Sequence, residues 1–272
     1  MSDLVMGYLM LGDLDPFEMV RAAGEGGFKA SGIRLTGHRP GDSWPFDPQS
    51  EADITRMRAV MEQAGVRLVN ACTYRVTADV DPAAYGPVLM ACSALGIATL
   101  ICNSSATEEA VIVSKLAAIA DLAAPFGIRL ALEFIPVSAV KTLEQAARIA
   151  GATGRDNVGL VIDALHLWRS GGSPVDLETV DPSLLLSVQL CDGPSQAPVG
   201  DALYAEMRGG RLMAGQGVFD LPGLLRALPR DIEVEVEAPN TVYAGLPPAQ
   251  RARIARVETE AFLATLQAEA SA

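Results

Sequence analysis

Several polar residues with the chemistry of metal ligands or proton carriers follow short apolar runs in the second half of the chain. The runs end in Glu133, in Asp163 with His166 three residues later, in Gln189 with Asp192, and in the series Glu233, Glu235 and Glu237. Carboxylate and amide oxygens suit a hard or borderline divalent cation, so this set indicates Mn²⁺, Mg²⁺ or Co²⁺, with Zn²⁺ as a further option. Carboxylates gathered without a cation would repel one another, and at least one would take up a proton.

The fold that would gather these residues follows from the alternation of strand-like and helix-like segments along the chain. Eight short β-rich runs, the first at Val5–Met10 and the last at Ile232–Glu237, alternate with stretches whose apolar residues have helical spacing. Glycines such as Gly65 and Gly127 precede apolar strands, as left-handed helix caps do. This order predicts parallel βαβ units. We therefore predict an α/β fold, a single (β/α)8 TIM barrel that spans residues 1–272 as one domain.

An open doubly wound sheet is the main alternative to a barrel. That fold is expected to carry a glycine-rich phosphate loop after its first strand, and the segment GYLMLGDLD is not such a loop. In a barrel, the polar residues above would lie at the C-terminal ends of the strands, where barrel active sites are built.

Composition and charge restrict the partners and the location. The chain has 21 Lys and Arg against 33 Asp and Glu, a net charge of −12, so neither nucleic acid nor an anionic membrane is an expected partner. The apolar N-terminal stretch is interrupted by Asp13 and Asp15, and no apolar run approaches about 18 residues. The four cysteines are widely spaced in apolar surroundings, which is typical of buried thiols in a reducing compartment. We expect a cytoplasmic protein.

The polar runs resemble the strand ends of the sugar isomerase/epimerase superfamily of xylose isomerase-like TIM barrels. The similar segments are ALEF, VIDALH, VQLCDGP and VEAPN, and RLMAGQGVFDL is similar to a Pro-Gly-Glu-Gly turn of that family. Hydroxypyruvate isomerase, ketose 3-epimerases and inosose dehydratase are related branches. Ala214 and Gln216 replace the proline and glutamate of the turn, so the role of that glutamate does not carry over.

The resemblance implies a divalent metal ion held by Glu133, Asp163, Gln189 and Glu237. Many relatives have histidine where this chain has Gln189, whereas the hydroxypyruvate isomerase branch also has glutamine there. Side chains alternate along a strand, so the last three glutamates share one face and differ only in depth. Glu237 is assigned because it is nearest the C-terminal rim, with Glu235 as the second choice.

The resemblance also implies substrate-binding residues. His166 occupies the position of a substrate-contacting histidine, and Arg211 lies in the segment similar to the family turn. Arg34, His38 and Asn103 follow or end earlier strands and are further candidates to hold a hydroxyl, carboxylate or phosphate group. The expected partner is a small carbohydrate-like molecule.

The implied chemistry is removal of a proton next to a carbonyl group through a metal-stabilised enediolate. Glu133 and Glu237 would take and return the proton as general base and general acid. Return to the neighbouring carbon makes the enzyme an isomerase, and return to the opposite face of the same carbon makes it an epimerase. Loss of a β-hydroxyl would make it a dehydratase of the inosose or dehydroshikimate type, and the sequence does not separate these outcomes.

Two other functions are weighed against this one. An endonuclease-like metallohydrolase on the same barrel needs a histidine-rich zinc cluster, but this chain has two histidines and a net charge of −12. A non-catalytic sugar-binding barrel is left open by the altered turn at Gln216. Dimers and tetramers are common among relatives, which leaves a homo-oligomer open as well.

Overall fold

Eight parallel strands form a closed barrel in which each strand pairs with the next one in the sequence and the last pairs with the first. The structure is a computed structural model that describes residues 3–271, with side chains to residue 268, so the ends of the predicted domain 1–272 lie outside it. The strands are β1 Val5–Met6, β2 Ala30–Ile33, β3 Arg67–Val76, β4 Thr99–Ser104, β5 Arg129–Glu133, β6 Val158–Asp163, β7 Leu185–Leu190 and β8 Glu233–Val236. The predicted TIM barrel is confirmed.

Helices follow the strands along the chain. Within residues 3–271 they are α1 Pro16–Glu25, α2 Glu51–Ala64, α3 Gly86–Leu95, α4 Glu109–Ala123, α5 Leu143–Ala152, α6 Ala164–Arg169, α7 Asp201–Gly209, α8 Leu221–Ala227 and α9 Pro248–Ser271. Two of them, α7 and α8, lie in the long connection between β7 and β8. None of the described helices is long and apolar enough to cross a lipid bilayer.

Local sequence signals explain where several elements begin and end. The Asp15 carboxylate accepts hydrogen bonds from the backbone N–H groups of Phe17 and Glu18, with Pro16 at the first position of α1. The predicted left-handed glycine caps are confirmed: φ is 93° at Gly27, 64° at Gly65, 72° at Gly96 and 68° at Gly127. Glycine takes this conformation without the steric cost of a Cβ, so each helix turns directly into the next strand.

The first strand is shorter than its apolar pattern predicts. Only Val5–Met6 pairs as a strand, and Tyr8–Met10 form a 3₁₀ turn that brings backbone toward the end of β8. Gly7 lies at the junction, where a Cβ would be 2.7 Å from the Val236 carbonyl oxygen and 2.9 Å from Glu237 Cβ. The absence of a side chain therefore allows the chain to pass directly over the inward-facing glutamates of β8.

The apolar core surrounds the strands on both faces. All six residues of β6 and all six of β4 are buried, as expected for parallel strands covered on each side. The four cysteines are free and buried within this apolar environment, as their sequence surroundings predict. Buried polar residues at the C-terminal ends of the strands form the site described next.

Candidate active site and metal centre

A cavity of about 640 Å³ opens at the C-terminal end of the barrel. The predicted site residues that line it are Arg34, His38, Asn103, Glu133, His166, Arg211 and Glu237. Asp163 and Gln189 do not line the cavity and are 1% and 2% exposed. The barrel thus brings predicted residues from the ends of six different strands to one place, and two of these residues, Asp163 and Gln189, do not reach the cavity surface.

A compact cluster of candidate ligands lies at the ends of β5 and β6. One ligand atom from each of Glu133, Asp163 and His166 lies within 4.8 Å of the other two. His166 Nε2 is 3.6 Å from Glu133 Oε1 and 3.7 Å from Asp163 Oδ2. The position of His166 follows from local structure, because the Asp163 carboxylate caps α6 by accepting a 3.1 Å hydrogen bond from the His166 backbone N–H.

The His166 ring is neutral near pH 7. Burial lowers its pKa to about 4, although the neighbouring Asp163 carboxylate acts in the opposite direction. Its Nδ1 atom is buried and has no hydrogen-bond partner among the described residues. A neutral imidazole beside two carboxylates is a donor set that suits Mn²⁺, Co²⁺ or Zn²⁺.

Arg211 is the cation in direct contact with this cluster. Its Nη1 atom donates to Asp163 Oδ2 at 2.6 Å and to the Glu237 carbonyl oxygen at 3.1 Å, and its Nε donates to the Met207 carbonyl oxygen at 3.0 Å. Burial raises the pKa of Asp163, but Arg211 and His166 outweigh it and hold that pKa below its usual value. Asp163 therefore remains ionised.

The other acidic groups of the site are less favourably placed. Burial, and then the charges of Glu237 and Asp163, raise the pKa of Glu133 well above its usual value. Burial raises the pKa of Glu237 to about 7 despite Arg211. Four buried carboxylates, counting Glu235, thus have one arginine within 4.0 Å among the described residues. A divalent cation would correct this imbalance of charge, so the residues present fit such an ion.

Gln189 lies one layer deeper than the cavity floor. In the barrel it pairs with Asp163 on one side and with Glu235 on the other. Its Nε2 donates to Glu235 Oε1 at 2.7 Å, and Asn70 Nδ2 donates to the other oxygen of Glu235 at 2.5 Å. The Gln189 Oε1 atom is buried without a partner, which leaves an amide oxygen free to accept.

The position of Glu235 bears on the choice between Glu235 and Glu237 as the metal ligand. Glu235 is enclosed by two side-chain amides and does not line the cavity, whereas Glu237 does. Glu237 Oε1 accepts a 3.4 Å hydrogen bond from the Leu9 backbone N–H, and its Oε2 is 3.9 Å from Arg211 Nη1. Of the two, Glu237 is the one in reach of a molecule in the cavity.

Other polar residues near the strand ends have structural roles. Arg169 forms a bidentate ion pair with Glu206, with N···O distances of 2.8 and 2.6 Å. Asp192 accepts hydrogen bonds from the N–H groups of Gly193, Gly215 and Phe219 and so fixes the turn that contains Gln216. The Gln216 side chain is exposed and hydrogen-bonds Glu258 of α9, outside the cavity.

Several cavity residues were not found from the sequence. Tyr204, Met207 and Arg208 come from α7, which was not predicted as a helix, although Leu203 and Met207 have the four-residue apolar spacing of one. Arg75 and Lys141 also line the cavity. Their sequence surroundings do not distinguish them from ordinary surface cations.

The fold and the cavity define a TIM barrel with a buried carboxylate and histidine cluster at the end of the barrel that carries active sites. The chain belongs to the xylose isomerase-like TIM barrel family, whose model matches residues 20–258. The predicted superfamily is therefore confirmed.

Several known proteins are similar to this chain in sequence or in fold. Inosose isomerase of Bacillus velezensis is 31% identical over 186 residues, 63% of this chain and 64% of that protein. A 3-dehydroshikimate dehydratase of Pseudomonas aeruginosa is 31% identical over 131 residues, 46% of this chain and 20% of that protein. A crystal structure of IolI protein with a zinc atom superposes with a TM-score of 0.78 at 19% identity, covering 97% of this chain and 99% of that one, which is a likeness of fold. The chain spans between 50% and 64% of the length of the inosose isomerases it matches.

Proposed function

We propose that the chain is a divalent metal-dependent isomerase or epimerase of a sugar or a sugar-like keto or hydroxy compound. The observation that carries this proposal is the cluster of Glu133, Asp163 and His166 at a cavity that is also lined by a second glutamate, Glu237. A sugar-like substrate is supported by the similarity to inosose isomerases. The reaction begins with removal of a proton from a carbon next to a carbonyl group.

The residues proposed to hold the ion are Glu133, Asp163, Gln189 and Glu237. His166 is a competing ligand, since its neutral ring lies within 4 Å of two of these carboxylates, while Gln189 offers an amide oxygen that lacks a partner. When bound, the ion would act as a Lewis acid that polarises the substrate carbonyl and stabilises the enediolate oxygen.

The chain's own residues would carry the proton. Burial raises the pKa of Glu133 well above its usual value and that of Glu237 to about 7. A carboxyl group with a pKa near the working pH exchanges protons efficiently. One of the two would remove the proton as general base, and the other would return it as general acid. Arg211 would stay between Asp163 and Glu237 and hold both in place.

Hydrogen–deuterium exchange tests this chemistry without knowledge of the product. The protein would be incubated in D₂O with Mn²⁺ and a panel of ketoses, inososes and keto acids, and deuterium at the substrate carbon followed by NMR. We expect Glu133→Gln and Glu237→Gln each to slow turnover by about 10²- to 10⁴-fold, because an amide does not exchange a proton as a carboxyl group does. Glu233→Gln, on the same strand but outside the cavity lining, is the matched control.

The outcome of that assay separates the competing functions. Exchange with conversion of the substrate into an isomeric carbonyl compound, such as an aldose from a ketose, or into an epimer supports the proposal. Exchange followed by loss of a β-hydroxyl identifies a dehydratase, the reaction in the name of one similar protein. Binding of a sugar with no exchange and no conversion across the panel would identify a non-catalytic sugar-binding barrel and reject the proposal.

A metal titration tests the ligand set. Asp163→Ala should abolish binding of Mn²⁺, measured by elemental analysis after dialysis and by calorimetric titration. Comparison of Gln189→Ala with His166→Ala decides which of the two is the fourth ligand, because only loss of a true ligand weakens affinity strongly. Undiminished Mn²⁺ affinity in Asp163→Ala would reject the assignment.

We further propose a cytoplasmic protein whose partner is this small-molecule substrate. The net charge of −12 supports the expectation that neither nucleic acid nor an anionic membrane surface is a partner. The homo-oligomer left open by the sequence is a matter for sedimentation or light scattering on the purified chain.

A further inference from the structure

We propose that the substrate carries an anionic group, a carboxylate or a phosphate, which binds at a basic wall of the cavity formed by Arg34, His38 and Arg75. This inference rests on the proposed function, because it names the substrate class of the same site. The basic wall lies at the ends of β2 and β3, four strands around the closed barrel from β6 and β7. It therefore lies across the cavity from Asp163 and Gln189.

Most of the charged side chains that line the cavity are basic, although the chain as a whole is acidic. Five basic side chains line it, from Arg34, Arg75, Lys141, Arg208 and Arg211, against two acidic ones, from Glu133 and Glu237. The whole chain has 21 basic and 33 acidic residues. A protein with a net charge of −12 has thus gathered positive charge at its barrel mouth, and a charged cleft of this kind concentrates ligands of opposite sign.

Four of the five basic groups lack an acidic partner. Arg211 is paired with Asp163, but within the described part of the chain no carboxylate lies within 4.0 Å of the charged groups of the other four lining cations. Elsewhere, arginines such as Arg148, Arg155 and Arg251 are paired with acidic side chains. The positive charge of the cavity is consequently available to a ligand.

Arg34 is the best-defined of these groups because it is buried and rigidly held. Its guanidinium carbon lies 4.5 Å from the Tyr8 ring centroid and 5.6 Å from that of Trp44. Its Nε donates to the Cys72 carbonyl oxygen at 3.3 Å. The residue is only 6% exposed, yet it lines the cavity. A buried guanidinium without a carboxylate is costly unless an anion approaches it.

His38 joins Arg34 to Arg75. The Arg34 Nη1 atom lies 3.4 Å from His38 Nε2, and the Arg75 backbone N–H donates to the His38 carbonyl oxygen at 2.8 Å. Burial, and then the charges of Arg34 and Arg75, lower the pKa of His38, so the ring is neutral near pH 7 and accepts from Arg34. This backbone hydrogen bond holds the loop after β2 on β3, and Arg34, His38 and Arg75 all line the cavity there.

The arrangement suits a molecule with two different ends. A carbonyl group with its neighbouring hydroxyl would lie beside Glu133 and Glu237, where the proton is moved. An anionic group would lie at the basic wall, at the ends of β2 and β3 between the ends of β8 and β5. An anion close to the buried carboxylates would be repelled, whereas the planar guanidinium groups of Arg34 and Arg75 match carboxylate and phosphate oxygens. The distribution of charge thus predicts the orientation of the bound substrate in the cavity.

Three ketoses that differ only at carbon 6 test the proposal: D-fructose, D-fructuronate and D-fructose 6-phosphate. Dissociation constants would be measured by calorimetry at low salt, with Mn²⁺ and separately with EDTA. We expect at least one anionic ketose to bind about tenfold or more tightly than D-fructose, since a charge-assisted hydrogen bond is generally worth that factor or more. Comparison of the two anions shows whether the group is a carboxylate or a phosphate.

Variants assign the preference to the basic wall. Arg34→Gln and Arg75→Gln should each weaken binding of the preferred anion about tenfold relative to binding of D-fructose. Arg226→Gln, on α8 and outside the cavity lining, should leave the preference unchanged. Arg75 is exposed, so Arg75→Gln is expected to fold. If the buried Arg34→Gln variant does not fold, Arg75→Gln still tests the proposal. Raising the salt concentration should reduce the preference.

Two results would overturn the proposal: anionic and neutral ketoses binding equally well to the unaltered protein, or a preference that survives both arginine substitutions. Because binding is measured independently of turnover, failure here is distinguishable from failure of the proposed function. A protein that exchanges deuterium with neutral ketoses alone would retain the function and reject the basic wall. A protein that prefers anionic ketoses but catalyses no exchange would retain the basic wall and reject the proposed function.

Discussion

Replacing Glu235 by glutamine should stabilise the metal-free protein at alkaline pH. Glu235 is 1% exposed, and its two oxygens accept hydrogen bonds from Asn70 and Gln189. Burial, and then the neighbouring Glu237, raise its pKa to about 8. The Asn70 Oδ1 and Gln189 Oε1 atoms have no partners, so either amide can turn over and accept from a glutamine N–H group. Glutamine reproduces the protonated form of the side chain and removes the buried charge.

The magnitude follows from the linkage between proton binding and folding. The carboxyl group is protonated below about pH 8 in the folded chain but ionises near its usual value of 4.5 when unfolded. Between these values the folded state holds more protons, so the stability that this group confers falls as pH rises. Because each pKa unit corresponds to about 1.4 kcal/mol, the loss between pH 5 and pH 8 is about 3–4 kcal/mol. Glu235→Gln should not suffer this loss.

Urea unfolding in EDTA at pH 5 and pH 8 measures the effect. The difference in unfolding free energy between Glu235→Gln and the unaltered protein should increase by about 3–4 kcal/mol from pH 5 to pH 8. The exposed residue Glu62 supplies the control, since Glu62→Gln should leave the pH dependence unchanged. A Glu235→Gln protein that is no more stabilised at pH 8 than at pH 5 would refute the reasoning, because the buried charge would then cost nothing.

Three further predictions concern the same end of the barrel. Arg211→Met should destabilise the metal-free protein by about 3–5 kcal/mol in urea unfolding, because it leaves the ionised Asp163 carboxylate buried without its cation. Gly7→Ala should cost about 1–3 kcal/mol and slow turnover, since its Cβ would meet the backbone of β8 and Glu237, whereas Gly86→Ala, with no atom within 4 Å of the added Cβ, should be harmless. Mn²⁺ at about 100 times its dissociation constant should raise the unfolding free energy by about 2.7 kcal/mol, and this gain should disappear in Asp163→Ala.

The barrel could be predicted because its signals are local and repeated. Each glycine cap, such as Gly65 or Gly127, precedes an apolar run that becomes a strand, and the order of these units leaves little choice of topology. The ends of a strand or helix could not be predicted where tertiary contacts decide them. The first apolar run is long enough for a six-residue strand, but only Val5–Met6 pairs. At Gly7 the chain turns to pass over the end of β8.

The candidate site could be predicted in part because strand-end residues of a barrel converge on one mouth. That rule was sufficient for Glu133, His166 and Glu237, which line one cavity. It did not distinguish a substrate-binding arginine from a structural one such as Arg169. The bidentate pair of Arg169 with Glu206 depends on helix α7, which was not predicted. It also did not single out Arg75, since nothing in the sequence near that residue shows that His38 lies beside it.

By itself the sequence determined the class of fold, the family and those residues of the barrel mouth that lie at strand ends, since strand periodicity, helix caps and strand-end polarity are properties of neighbouring residues. The tertiary structure alone decided depth and pairing. It buried Glu235 between Asn70 and Gln189, left Glu237 at the cavity and joined Arg211 to Asp163 across 48 residues of chain. The physical reason is that burial and charge pairing, which set the protonation of these groups, depend on distances between strands that are far apart in the sequence.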